Sequence, residues 1–162
     1  MDKKISGELV KRIKGDTFLN RVVAGVVCIV AITYLLYFVT TLLSRNFEGN
    51  ALQLYAENFV KIGCLAVSLV ILSSILNEIC KTSKPFTANI VKKFKVMAIV
   101  LIAAVPLAML TSFITVFRFS ESVILTFSFS DILIMSFGVI IGIISEIFYY
   151  GTKLEEEMDK IA

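Results

Sequence analysis

Two stretches of this chain, 22–43 and 96–117, contain no charged side chain at all. A helix needs roughly 20 apolar residues to cross a hydrocarbon core about 30 Å thick, and both runs reach that length. Two more come close: 62–80 is charge-free until Glu78, and 132–150 carries a single acid, Glu146, near its end. The other structure that satisfies its backbone inside lipid is a closed barrel, which shows short segments of alternating apolar and polar residues. These continuous runs exclude it. The sequence therefore predicts an all-α integral membrane bundle of four transmembrane helices over 22–43, 60–80, 94–117 and 131–150. A basic segment, 1–21, precedes them and a tail, 151–162, follows, in a single membrane domain. Hydrophobic residues make up 57% of the 162, against roughly 45–50% in ordinary soluble domains. Spans and connections use nearly all of that length, which leaves no separate soluble catalytic domain. The first run is too long for the apolar part of a signal peptide and no small-residue cleavage motif follows it, so this helix is expected to persist.

Placement of charge predicts orientation. Lysines and arginines concentrate in the N-terminal segment (Lys3, Lys4, Lys11, Arg12, Lys14, Arg21), the second connection (Lys81, Lys84, Lys92, Lys93, Lys95) and the tail (Lys153, Lys160), whereas the other two connections hold only Arg45, Lys61 and Arg118. Short connections rich in Lys and Arg stay inside. Both termini and the middle loop are thus expected in the cytoplasm, with the bundle in the bacterial plasma membrane. Within the N-terminal segment, Ile5, Leu9, Val10 and Ile13 share one face at helical spacing. That pattern fits a short basic amphipathic helix on anionic lipid, and equally an unstructured flank that only sets topology.

The middle connection, KTSKPFTANIVKKFK over 81–95, has the chemistry of a helix start. Pro85 stops the preceding helix, Thr87 can cap the next, and Phe86 before the cap can pack on Val91 as a hydrophobic staple. The third helix is therefore expected to begin below the membrane, with a basic extension. The connections 44–59 and 118–131 hold aromatic and apolar residues such as Phe47, Tyr55 and Phe127, which suits seating at the headgroup level; an extracellular peptide site is the alternative.

Helices in lipid associate through close packing of small residues and scattered polar contacts. Such stripes run along helix two (Gly63, Ala66, Ser73, Asn77), helix three (Ala104, Ala108, Thr111, Thr115) and helix four (Gly138, Gly142, Ser145, Glu146, Tyr149). Gly138 and Gly142 form a G-x-x-x-G pair, which serves packing within the chain or, alternatively, a homo-oligomer. Asn77, Glu78 and Glu146 lie near the cytoplasmic ends of helices two and four, at the level where Arg21 and Lys95 begin helices one and three. A polar cluster of Glu78 and Glu146 with these two bases is the expected lock on that end of the bundle. The competing reading makes them ordinary interfacial residues.

Cys28, Cys64 and Cys80 lie far apart, without C-x-x-C spacing, and the chain has no histidine. Reduced packing residues are expected, with no metal and no cofactor. No H-E-x-x-H, G-x-S-x-G or P-loop motif occurs, so an intramembrane protease, a hydrolase or an ATP-driven machine lacks its required groups. The expectation is a protein that is not an enzyme, with no catalytic residues.

Two segments, KPFTANIVKKFK and EIFYYGTKLEEEMDKIA, resemble small bacterial membrane proteins grouped as domain of unknown function 2975. In that family a Pro-Phe pair followed shortly by Asn opens the third span, as Pro85, Phe86 and Asn89 would here. The fourth span ends in Ile-Phe followed by Gly, Leu and acids, matched by Ile147, Phe148, Gly151, Leu154, Glu155 and Glu157. The four-helix layout agrees throughout, while the tail departs: the family ends in an Asp-Leu-Thr-Val stretch and this chain in Met158-Asp159-Lys160-Ile161-Ala162. The resemblance implies no settled activity. It does imply a membrane protein of the kind often encoded beside a helix-turn-helix regulator of the Cro/C1 type, hence one that modulates or tethers a cytosolic transcription factor without binding nucleic acid itself. The reading at this point is a non-enzymatic regulatory or sensory membrane protein. The alternative is a small transporter, channel or peptide-toxin immunity protein.

Overall fold

The computed structural model describes residues 2–44, 49–82, 87–119 and 127–161. Four helices account for nearly all of them: α1 (Asp2–Leu43), α2 (Gly49–Thr82), α3 (Ala88–Phe119) and α4 (Phe129–Ile161). Each is long and apolar enough to cross a membrane. No strand occurs among the described residues. The helices outrun the apolar runs that define them, because a charge ends a hydrophobic run without ending a helix. At 1.5 Å per residue the 42 residues of α1 extend about 63 Å, twice the hydrocarbon thickness.

Helix starts follow from local chemistry. Thr87 caps α3: its hydroxyl accepts from Ile90 N at 3.3 Å and its carbonyl from Val91 N at 3.1 Å. Pro85 and Phe86, and with them the staple on Val91, lie outside the described residues. Asp131 supplies the acid half of a capping box on α4: its Oδ2 accepts from Ser128 N at 2.8 Å and also from the Ser128 hydroxyl at 2.9 Å, which satisfies a backbone donor at the helix start. Helix α3 runs through Pro106.

Helices pack on their chain neighbours: α1 on α2, α2 on α3 and α3 on α4, with no backbone-level contact between other pairs of described helices. Neighbours run antiparallel. Asn20 of α1 donates to Leu69 O and Ser73 Oγ of α2, while Tyr37 stacks on Tyr55 at the far end. Glu78 of α2 meets Lys93 of α3 at one end, and Glu57 meets Ser112 at the other. Both termini therefore lie at one end of the molecule, here called the terminal end.

Small side chains let the backbones approach. Ala104 and Ala108 of α3 are fully buried, and Ala24 and Ala31 of α1 and Ala56 and Ala66 of α2 are buried as well. Space is tight at Gly138 of α4, where an added Cβ would lie 2.7 Å from Ile102 Cγ1, 3.0 Å from Ile102 N and 3.2 Å from Ala98 O. Gly142 leaves 3.8 Å to Ala98 Cβ, ordinary van der Waals room. The G-x-x-x-G pair thus packs against α3 of its own chain, and Gly138 is the member that has to be small. Outward faces carry large apolar side chains, among them Ile29, Leu36, Ile99, Ile114, Ile143 and Ile147, as helices facing lipid do. Residue Ile13 is half-buried on the α1 face that continues through buried Thr17 and Ala24 toward α2. The side chains of Ile5, Leu9 and Val10 lie outside the described residues.

Candidate functional site

Two layers of polar side chains cross the helices, one near each end. The layer far from the termini is the more buried. Lys61 of α2 is 6% exposed and Asp131 of α4 is fully buried. The Lys61 ammonium forms ion pairs with Glu57, one turn earlier on α2, and with Asp131. Side chains on a helix lean toward its N-terminus, which carries Lys61 toward Glu57 and away from the middle of the chain's apolar region. Ser112 of α3 closes the group by donating to Glu57 Oε2 at 3.2 Å. Asp131 Oδ2 takes the two Ser128 donors, and its Oδ1 has the Lys61 ammonium as its contact. One lysine thus faces two carboxylates, and α2, α3 and α4 are tied together through groups that are costly to bury unpaired.

The layer at the terminal end centres on Glu78. Both of its carboxylate oxygens accept from Asn89 Nδ2, at 2.8 and 2.7 Å, and Oε2 also accepts from Lys93 Nζ at 2.6 Å. Lys93 in turn donates to Ser74 Oγ at 2.9 Å, and the Thr87 hydroxyl lies 3.5 Å from Glu78 Oε1. The end of α2 is thereby clamped to the first two turns of α3. On α2, Glu57 and Glu78 are 21 residues apart, about 31 Å of helix. Between Lys61, which reaches back toward Glu57, and Glu78 the stretch 62–77 carries no charge, about 24 Å of helix against a hydrocarbon core about 30 Å thick.

The residues singled out by sequence fall into separate places. Glu78 pairs with Lys93, whereas Glu146 of α4 pairs with Lys95 of α3 at 2.9 Å, both about half exposed. Of the expected cluster of Glu78 and Glu146 with Arg21 and Lys95, only the Glu146–Lys95 pair forms, on the α3–α4 seam, while Glu78 takes Lys93 on the α2–α3 seam. Arg21 is exposed on α1 and has no ion-pair partner among the described residues. Asn77 is half-buried beside Glu78, and Asn89 is exposed while bonded to it. Gly151 continues α4 without ending it. Ser145, fully buried, donates to Val91 O at 3.2 Å. The Glu57–Lys61–Asp131 group escaped sequence reading. Its signals were a lone lysine four residues after a glutamate in a lysine-poor flank, and an acid heading an apolar run. Their meeting, across 70 residues of sequence, left no mark.

Among the described residues no three His, Cys, Asp or Glu side chains gather as a metal site, and the three cysteines are free. A family model described as "Protein of unknown function (DUF2975)" matches residues 54–161. The chain belongs to that family. The match starts inside α2 and takes in both polar layers together with all of α3, while α1 precedes it. The DUF2975 description assigns no reaction, and no curated protein or solved structure matches the chain. For this DUF2975 chain the four apolar helices make it a multi-pass membrane protein.

Proposed function

We propose that this chain is a regulatory or sensory protein of the bacterial plasma membrane that performs no catalysis and acts through contacts at its terminal end, which faces the cytoplasm. The bias of Lys and Arg toward that end supports the orientation. The observation that carries the functional reading is the Glu78 clamp. By fixing the start of α3 against the end of α2 it holds exposed Lys81 and Lys92 in a defined relation to each other, beside helical extensions of α1 and α4. A preorganised basic rim suits an acidic patch on a cytosolic protein. A helix-turn-helix regulator is the partner that the family resemblance offers.

The test is recovery of partners from membranes with a photo-crosslinking residue in place of Lys92. A DNA-binding protein is expected in the cross-linked product, and Glu78→Gln is expected to reduce its yield severalfold. Recovery of no such protein would contradict the reading.

The Glu57–Lys61–Asp131 group favours a second reading, because ionisable groups buried within membrane helices commonly mark a path for solute or ion. In that case the bundle itself handles a solute or a membrane-active peptide. Lys61→Met would then alter sensitivity of cells to that agent, and Glu78→Gln would not.

A further inference from the structure

At the α3–α4 seam of the terminal end, two lysines converge on one tyrosine. The Lys95 ammonium lies 5.3 Å from the centroid of the Tyr149 ring, and the Lys153 ammonium lies 4.9 Å from it. The two charges are therefore no more than 10.2 Å apart, the sum of those distances. Like charges repel, and the ring face together with Glu146 offsets that repulsion. Glu146 pairs with Lys95 alone; Lys153 has no carboxylate in ion-pair contact among the described residues. One positive charge is left over.

We propose that Lys95, Lys153 and Tyr149 form a binding site for the phosphate of an anionic phospholipid. The level is right: Tyr149 and Tyr150 close the apolar run of α4, where tyrosines sit among headgroups, and Lys153 stands one turn beyond. Its neighbours are right as well. Tyr150 is 66% exposed and, one turn toward the membrane interior, Ile147 is 60% exposed, so acyl chains and glycerol have apolar surface beside the charges. Behind the site Phe94 packs on Phe148 with centroids 5.2 Å apart, which fixes α3 and α4 at this level. Two ammonium groups and a phenol supply charge-assisted donors for phosphate oxygens, and both lysine stems can lie along apolar surface with their charges at the headgroups. A soluble phosphate gains nothing from that apolar flank, which is the reason for assigning a lipid. The site requires only that α3 and α4 span the membrane, so it stands or falls independently of the regulatory role.

Native mass spectrometry of the full-length chain, released from micelles containing equal phosphatidylglycerol and phosphatidylcholine, tests it. The wild-type chain is expected to retain phosphatidylglycerol in roughly tenfold excess, and Lys95→Gln with Lys153→Gln to bring retention to parity. Lys11→Gln with Lys14→Gln, which removes the same charge from α1, should keep the preference. So should Lys95→Arg with Lys153→Arg, which guards against a folding defect along with an unchanged helical circular dichroism spectrum. Added glycerol phosphate should not displace the lipid. Absence of a preference in the wild type, equal loss in the α1 variant, or displacement by glycerol phosphate would each overturn the proposal.

Discussion

The two polar layers use the same chemistry, lysine against carboxylate, in different surroundings. Around Lys61 two ion pairs and the Ser112–Glu57 hydrogen bond together join three helices, with Lys61 and Asp131 shut away from solvent. Around Glu78 and Glu146 each pair joins one helix to the next, and exposure rises to about half at Lys95 and Glu146. Breaking a buried pair strands a charge where nothing can solvate it, whereas an exposed pair is largely replaced by water and salt. The far layer should therefore hold the helices together, and the terminal layer should shape a surface at little energetic expense.

The largest effect is expected at Lys61. Exchanging it for Met leaves Glu57 and Asp131 facing each other without a cation and should destabilise the chain by about 3–5 kcal/mol, read as a lowered melting temperature in detergent. Asp131→Asn keeps the Glu57–Lys61 pair and should fall clearly less. Where α4 packs on α3 between the layers, Gly138→Ala forces Ile102 and the α3 backbone to move and should cost about 1–3 kcal/mol, while Gly142→Ala stays near neutral. At Glu78, replacement by Gln takes the charge out of its bonds from Asn89 and Lys93 and keeps one acceptor oxygen, so about 1–2 kcal/mol is expected. Smallest is Glu146→Gln, under about 1 kcal/mol and weaker still in high salt. Equal loss from Lys61→Met and Glu146→Gln would erase the contrast between the layers.

Much of the architecture was legible in the sequence because hydrophobic length is a one-dimensional property. The runs 22–43 and 96–117 needed no tertiary information to be read as spans. The capping role of Thr87 was equally local, since a cap involves only the next few residues. Azimuth around a helix and the choice of neighbour are not local. Glu78 and Glu146 share a level, and sequence grouped them on that ground, yet they point into different seams. Lys61 looked like an ordinary flank residue because its second partner, Asp131, arrives only when α4 is laid against α3.

The central claim, four crossings with both ends on one side, is tested most directly by single cysteines in a chain whose Cys28, Cys64 and Cys80 have been replaced by Ala. A membrane-impermeant maleimide applied to intact spheroplasts should label Ser44→Cys and Phe127→Cys, and should reach Thr82→Cys and Lys160→Cys only after the membrane is opened. Labelling of Thr82→Cys or Lys160→Cys in sealed cells, alongside Ser44→Cys, would contradict it.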